Sequence, residues 1–184
     1  HARLFLQALS KVRWSIVEQK PFVEVGKKYF VNPFAPYFPG KYFIRMLENN
    51  SVSQYPLKPN YAQISITNVC PCECYHCHVK NTQDRSADLS KGKVLEAIED
   101  IINAEFLVLF FVGGEPMSRF DDLVEFVKSA RRKMDTRIFT SGIGVTTERL
   151  KILKEAGLEG ICVSIDHYDE QIHNSQRKNN QAFK

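Results

Sequence analysis

The sequence lacks the long apolar run that a membrane-spanning helix needs. No stretch of its 184 residues approaches the roughly 18 consecutive apolar residues that cross a bilayer. Charged residues interrupt the first residues too often for a secretion signal. Internal repeats and low-complexity segments are also missing. With 43% hydrophobic residues, the composition predicts one well-buried cytoplasmic domain.

A strong net charge is missing as well, because the whole chain carries only +4. The charge is unevenly placed. Residues 1–60 hold nine Lys or Arg against three Asp or Glu, whereas residues 61–184 hold sixteen against eighteen. Nucleic-acid binding would need clustered basic residues with stacking aromatic residues, which the basic part does not show. We therefore expect no nucleic-acid partner, and either a solvated basic face or a site for an acidic partner.

The first 60 residues show no pattern that carries chemistry. Residues 2–18 place their apolar side chains on one helical stripe, which predicts an amphipathic helix that docks on the protein or lies on a membrane surface. A strand pair is predicted around Gly26, followed by a proline-rich loop at residues 33–39 and a helix at residues 41–48. We predict that residues 1–60 form an N-terminal extension of a core at residues 61–184.

Cysteine is concentrated in one short stretch. Cys70 to Cys77 reads CPCECYHC and contains four of the five cysteines. Chosen as Cys70, Cys74 and Cys77, the thiols have the spacing C-x3-C-x2-C. Three thiolates on one loop can hold three corners of an iron-sulfur cube and leave the fourth iron without a protein ligand. The spacing therefore predicts a metal loop with one open coordination position.

Zinc is the alternative metal for this loop. Cys72, His76 and His78 could complete a four-ligand tetrahedral site. A disulfide is disfavoured, because such short spacings rarely permit the required geometry and nothing in the sequence indicates secretion. The eight residues alone leave iron-sulfur and zinc both open.

From Tyr61 onward, strand-like apolar runs alternate with amphipathic helical runs. This alternation is typical of an α/β fold with a parallel sheet. The predicted strands are residues 61–69, 105–112, 136–140 and 160–166. Helices are predicted to begin at Ser90, at Asp121 or Asp122, and at Thr146 or Thr147, and the last of them to end at Gly157.

Each predicted strand ends in a cluster of polar residues, cysteines or glycines. After the cysteine loop, the clusters are Gly113, Gly114, Glu115 and Pro116; Thr140, Ser141 and Gly142; and Ser164 and Asp166. Because the carboxyl ends of parallel strands lie on one face, we expect all four clusters to converge there. A zinc knot needs no such convergence, whereas an iron-sulfur cluster that holds a second molecule does.

Individual roles follow from the atoms that these residues offer, with ordinary turn chemistry as the plain alternative. The Glu115 carboxylate can accept from an ammonium group or from hydroxyls. Ser164 and Asp166 alternate along a predicted strand, so their side chains are expected to point the same way. The chain after the fourth strand could fold back so that Arg177 binds a carboxylate at this face, or the Arg177 side chain could simply be solvated.

In these residues the sequence resembles the radical S-adenosylmethionine (radical SAM) enzymes, over residues 61–184. The resemblance implies that Cys70, Cys74 and Cys77 hold a [4Fe-4S] cluster and that His76 lies near the adenine. It also implies that the GGEP motif binds the methionine amino group. The implied ribose and carboxylate contacts are Thr140, Ser141, Gly142, Ser164, Asp166 and Arg177. The spacing of Ser164, Asp166 and Arg177 resembles the SxD...R branch, which includes sulfatase maturases, molybdenum-cofactor synthases and peptide-modifying enzymes.

The resemblance implies reductive cleavage of SAM to methionine and a 5′-deoxyadenosyl radical, which abstracts hydrogen from a substrate, with a peptide as the candidate. A flavodoxin or ferredoxin would supply the electron, and the basic face that contains Lys27 and Lys28 could bind this acidic carrier protein. The implied fold is a (βα)6-type barrel, of which four units are visible, and we expect the remaining units beyond Lys184. Cys72 is extra to the family pattern and is predicted to be dispensable.

Overall fold

We describe a computed structural model of the chain, which covers residues 23–30, 34–49, 59–77 and 85–183. The amphipathic helix predicted at residues 2–18 lies outside these residues, as do Pro33 and His78. The chain groups into two compact units. Of the described residues, one unit contains 23–30, 34–49, 59–62 and 105–108, and the other contains 63–77, 85–104 and 109–183. The predicted division into an extension and a catalytic core stays a prediction.

The smaller unit contains the strand pair that the sequence predicts around Gly26. Strands β1 (Val23–Val25) and β2 (Lys28–Phe30) pair antiparallel. The turn between them needs Gly26, whose φ of 62° lies in the region that glycine adopts without a Cβ clash. Helix α1 (Lys41–Asn49) follows, close to its predicted bounds.

The larger unit is built on a four-stranded parallel sheet with its strands in chain order. The strands are β3 (Tyr61–Thr67), β4 (Val108–Gly113), β5 (Asp135–Thr140) and β6 (Gly160–Val163). Strand β4 is central, and its residues 108–111 are fully buried. An all-apolar strand predicts this burial, because helices cover both faces of a parallel sheet.

The described part of this unit contains four α-helices. They are α2 (Lys91–Asn103), α3 (Phe120–Ala130), α4 (Thr147–Ala156) and α5 (Glu170–Arg177). Ser90 and Thr146 cap α2 and α4 as predicted, since each side chain accepts a hydrogen bond from the backbone N–H three residues later. Gly157 ends α4 with a φ of 116°, as predicted for a left-handed stop.

The predicted start of α3 was wrong. The helix begins at Phe120, so Asp121 and Asp122 lie in its first turn, where their charge suits the helix dipole. A 3₁₀ turn at Pro116–Arg119 precedes the helix, and the Glu115 side chain caps that turn. The chain therefore becomes helical at Pro116, two residues after the Gly113–Gly114 pair.

Strand β6 is shorter than predicted. It ends at Val163, although the Ser164 N–H still bonds to the Thr140 carbonyl oxygen at 2.9 Å. The Asp166 N–H instead bonds to Nδ1 of His173 at 3.1 Å. Ser164 and Asp166 therefore do not alternate along one strand, because the buried His173 on α5 draws the backbone out of the sheet. No helix among the described residues is both long and apolar enough to cross a membrane.

Candidate functional site

A cavity of about 240 Å³ opens among the residues that follow the strands. It is lined by Cys70, Cys72, Cys74, His76, Cys77, Val112, Gly113, Gly114, Phe139, Thr140, Ser141, Ser164 and Arg177. The wall combines the ends of β4 and β5 with the segments that follow β3 and β6, which confirms the predicted convergence. Glu115, Pro116, Gly142 and Asp166 do not line it. Val112 and Phe139 do, but these apolar strand residues carried no chemical signal in the sequence.

The cysteine loop brings four thiols to this cavity, and none of them is in a disulfide. Cys70 and Cys72 are buried, Cys74 is half-buried and Cys77 is exposed. A hydrogen bond from the Cys72 thiol lowers the pKa of Cys70 to about 7. The same bond raises the pKa of Cys72. Cys70 therefore offers a thiolate, the form that binds metals, near neutral pH.

The entry to the loop is held on two sides. The Gly114 N–H donates to the Thr67 carbonyl oxygen at 2.7 Å, and the Glu115 N–H donates to the Val69 carbonyl oxygen at 2.8 Å. On the other side, the Asp88 carboxylate accepts from the Thr67 hydroxyl at 2.6 Å and from the Asn68 N–H at 2.7 Å. The end of β4 and Asp88, three residues before α2, thus fix where the cysteines begin.

The double glycine is required by this close approach. A Cβ on Gly113, whose φ is 132°, would clash with the Thr67 carbonyl oxygen. A Cβ on Gly114 would lie 2.6 Å from the Val69 carbonyl carbon and 2.8 Å from the Asn68 carbonyl oxygen. Because backbone atoms cannot swing aside as a flexible side chain can, only glycine lets β4 end against the start of the cysteine loop.

Gly114→Ala should therefore destabilise the fold. Forcing a methyl group against the backbone costs about 1–3 kcal/mol or more, and the displaced atoms lead directly into the cysteines. Gly92→Ala is the matched control, because that position lies on α2 with no atom within 4 Å of its Cβ, and alanine should stabilise the helix by about 0.5–1 kcal/mol. Urea unfolding of both variants measures the difference. Equal stabilities would contradict this reading of the double glycine.

The Glu115 carboxylate is fully occupied by the protein. Its side chain is 1% exposed. Oε1 accepts from the Thr140 hydroxyl at 2.7 Å and from the Met117 N–H at 3.0 Å. Oε2 accepts from the Ser141 N–H at 2.7 Å and from its hydroxyl at 2.6 Å. Four protein donors therefore surround this carboxylate, and its predicted role as an acceptor for a ligand ammonium stays a prediction.

The same network commits the hydroxyls of Thr140 and Ser141. Both donate their protons to Glu115, while their oxygens accept from the backbone N–H groups of Gly142 and Ile143. Thr140 and Ser141 line the cavity, but their hydroxyl protons are directed to the carboxylate. The network ties the end of β4 to the end of β5.

Arg177 and Asp166 form an ion pair beside the loop. Nη2 of Arg177 donates to Oδ1 of Asp166 at 2.9 Å, and its Nε lies 2.7 Å from Oδ2. Nη1 lies 3.8 Å from the sulfur of Cys74. Arg177 is therefore held at the cavity wall, and Asp166 orients it from outside the cavity.

The thiols fit an iron-sulfur cluster in chemical type and line one cavity. Four unbridged thiols face one cavity on a loop held at its entry, and thiolate is the ligand of such clusters. Among the residues that the structure describes, no three His, Cys, Asp or Glu side chains already stand close enough together to hold a metal ion. The assignment of the ligands to Cys70, Cys74 and Cys77 stays a prediction.

The parallel strand-helix core and its thiol-lined cavity define a class of α/β proteins with a cysteine-rich loop after the first strand of the parallel sheet. Residues 64–183 match the family model of the radical SAM superfamily. Because this match covers more than half of the chain, the protein belongs to that superfamily. The family uses a [4Fe-4S] cluster and S-adenosylmethionine. This confirms the family and the cofactor types that the sequence motifs indicated.

Solved structures of SuiB from Streptococcus suis share the fold. SuiB bound to the precursor peptide SuiA superimposes with a TM-score of 0.55 at 16% identity over 73% of this chain. SuiB bound to S-adenosylmethionine gives a TM-score of 0.54 at 19% identity, also over 73% of the chain. A further SuiB structure gives 0.55 at 17% identity over 78%. The matches cover only 29%, 30% and 32% of the SuiB chains, respectively.

Proposed function

We propose that the protein binds a [4Fe-4S] cluster through Cys70, Cys74 and Cys77 and cleaves S-adenosylmethionine reductively to begin a radical reaction. The observation that carries this proposal is the single cavity in which the cysteine loop meets the ends of β4, β5 and β6. When bound, the reduced cluster supplies the electron that cleaves SAM to methionine and a 5′-deoxyadenosyl radical. The protein supplies position and the exclusion of water.

The surrounding residues supply the SAM site in this proposal. Gly113 and Gly114 line the cavity, where the methionine group approaches the backbone of this segment. Backbone atoms there, rather than the occupied Glu115 carboxylate, receive the amino group. Arg177 attracts the SAM carboxylate while Asp166 holds its guanidinium in place.

Two further contacts complete this site. Ser164 lies on the cavity wall and is placed to reach the ribose. His76, which also lines the cavity, borders the adenine. Thr140 and Ser141 shape another part of the cavity wall, and Gly142 follows them outside it.

The proposed substrate is a peptide, and the proposed electron donor is a flavodoxin or ferredoxin. The peptide is supported by the shared fold with SuiB, one structure of which contains a precursor peptide. The electron donor is supported by the basic character of residues 1–60, in which Lys27 lies in the turn between β1 and β2 and Lys28 begins β2. An acidic carrier protein would be attracted to such residues.

Anaerobic loading with iron and sulfide provides the test. We expect loaded protein to release 5′-deoxyadenosine and methionine when SAM and dithionite are added, and chromatography with mass detection measures both. Reduced flavodoxin should replace dithionite. Omission of the iron is the control. Stoichiometric zinc binding without any 5′-deoxyadenosine would instead support a non-catalytic metal-binding module on the same fold.

A further inference from the structure

We propose that Asn179 is a positioning residue that holds the cysteine loop in place through a hydrogen bond to the loop backbone at Pro71. The proposal rests on the proposed function only for its consequence, which is retention of the metal cluster. Its basis is one contact between parts of the chain that are 108 residues apart: the Asn179 side-chain amide donates to the Pro71 carbonyl oxygen at 2.7 Å. Pro71 lies between Cys70 and Cys72.

The orientation of the Asn179 amide follows from its second bond. Its Oδ1 accepts from the Gln181 N–H at 2.8 Å, so the nitrogen must face Pro71. Pro71 has no N–H group, and its carbonyl oxygen is the one backbone polar atom that it offers. A donor at that oxygen therefore fixes the peptide that joins the two buried cysteines.

The segment that carries Asn179 is itself well anchored. The chain reverses after α5 at Lys178, whose φ is 49°. The buried Asn174 side chain then binds the segment at two points, donating to the Asn180 carbonyl oxygen at 3.3 Å and accepting from the Phe183 N–H at 3.1 Å. Ala182 packs against Cys70 and Cys72. Residues 178–183 thus form a segment that packs against α5, and the Asn179 side chain projects from this segment toward the cysteine loop.

A second backbone contact holds the cysteine loop at Glu73, two residues after Pro71. The Glu73 N–H donates to the Arg177 carbonyl oxygen at 3.1 Å, and that same oxygen lies 3.9 Å from the Cys74 sulfur. Pro71 and Glu73 are therefore both held between the predicted ligands Cys70 and Cys74. Ordering the loop in advance lowers the entropy cost of collecting three thiols around a metal.

The first arm of the test uses cluster-free protein and measures the alkylation rate of each cysteine by mass spectrometry. In Asn179→Ala, the buried thiols of Cys70 and Cys72 should react roughly three- to tenfold faster, as expected for the loss of one net hydrogen bond. Cys162, which lies on β6 outside the loop, should keep its rate and reports on global unfolding. Asn180→Ala is the matched control, because that neighbouring side chain is exposed.

Asn179→Asp is a second variant that preserves the bond to Gln181 and removes only the donor to Pro71. It should give the same selective acceleration. Unchanged rates at Cys70 and Cys72 would overturn the proposal. Equal acceleration of all five cysteines in both variants would also overturn it, because Asn179 would then support the whole domain rather than the loop.

The second arm measures cluster retention without measuring activity. After anaerobic loading, iron should pass to a chelator roughly three- to tenfold faster from Asn179→Ala than from the wild type or Asn180→Ala. Equal rates of iron loss would count against a role for Asn179 in retention. If the wild type takes up no cluster, the proposed function fails, while the alkylation comparison still tests the contact with Pro71.

Discussion

Alanine replacement of Cys70, Cys74 or Cys77, one at a time, should abolish the iron-sulfur absorbance and the release of 5′-deoxyadenosine. Each change removes one of three thiolates proposed to hold the cluster, and no fourth protein ligand is available to compensate in that ligand set. Iron and sulfide content after anaerobic loading and product formation with SAM measure the two losses. The expected effect is complete loss rather than a graded decrease.

Cys72→Ala is the matched control for these variants, because Cys72 lies on the same loop. Its side chain is 1% exposed and packs beside Ala182, so truncation should cost about 1 kcal/mol of stability. The variant also loses the hydrogen bond to Cys70. A coordinated thiol is deprotonated by the metal, however, so cluster content and SAM cleavage should stay within roughly twofold of wild type. Loss of the cluster in Cys72→Ala, with retention in one of the other three variants, would reassign the ligands.

Local sequence rules predicted the helix boundaries that depend on one or two neighbouring residues. Ser90 and Thr146 cap their helices through a backbone N–H three residues away, and Gly157 ends a helix through its own φ. The convergence of four clusters was also predictable, because the alternation of strands and helices determines which ends of parallel strands meet. These features need no knowledge of distant contacts.

Features that depend on distant partners were not predictable. The sequence shows a carboxylate at Glu115 and hydroxyls at Thr140 and Ser141. It does not show that both hydroxyls donate hydrogen bonds to this carboxylate, which lies 25 or 26 residues away along the chain. The contact between Asn179 and Pro71 spans 108 residues and follows no periodic pattern. The end of β6 was misplaced because a histidine on the following helix takes the Asp166 N–H.

Glu115→Gln should strongly destabilise the protein, although it changes a single atom of the side chain. Each carboxylate oxygen faces a backbone N–H that cannot reverse its direction, from Met117 on Oε1 and from Ser141 on Oε2. A glutamine amide has only one oxygen, so either orientation points its NH₂ group at one of these donors. A buried donor is then left without an acceptor, which costs about 1–3 kcal/mol in addition to the weakened charge-assisted bonds.

We expect a total loss of roughly 2–4 kcal/mol for Glu115→Gln and about 3–5 kcal/mol for Glu115→Ala, which leaves all four donors unpaired. Urea unfolding measures these differences. Glu96→Gln is the control, because it removes the same charge from an exposed ion pair with Lys93 and should cost less than about 1 kcal/mol. If Glu115 instead contacted SAM directly, Glu115→Gln would weaken SAM binding while leaving the unfolding midpoint unchanged. That outcome would support the ligand role that the GGEP motif predicts for Glu115. A lowered midpoint would instead identify Glu115 as the residue that joins the ends of β4 and β5 behind the cavity.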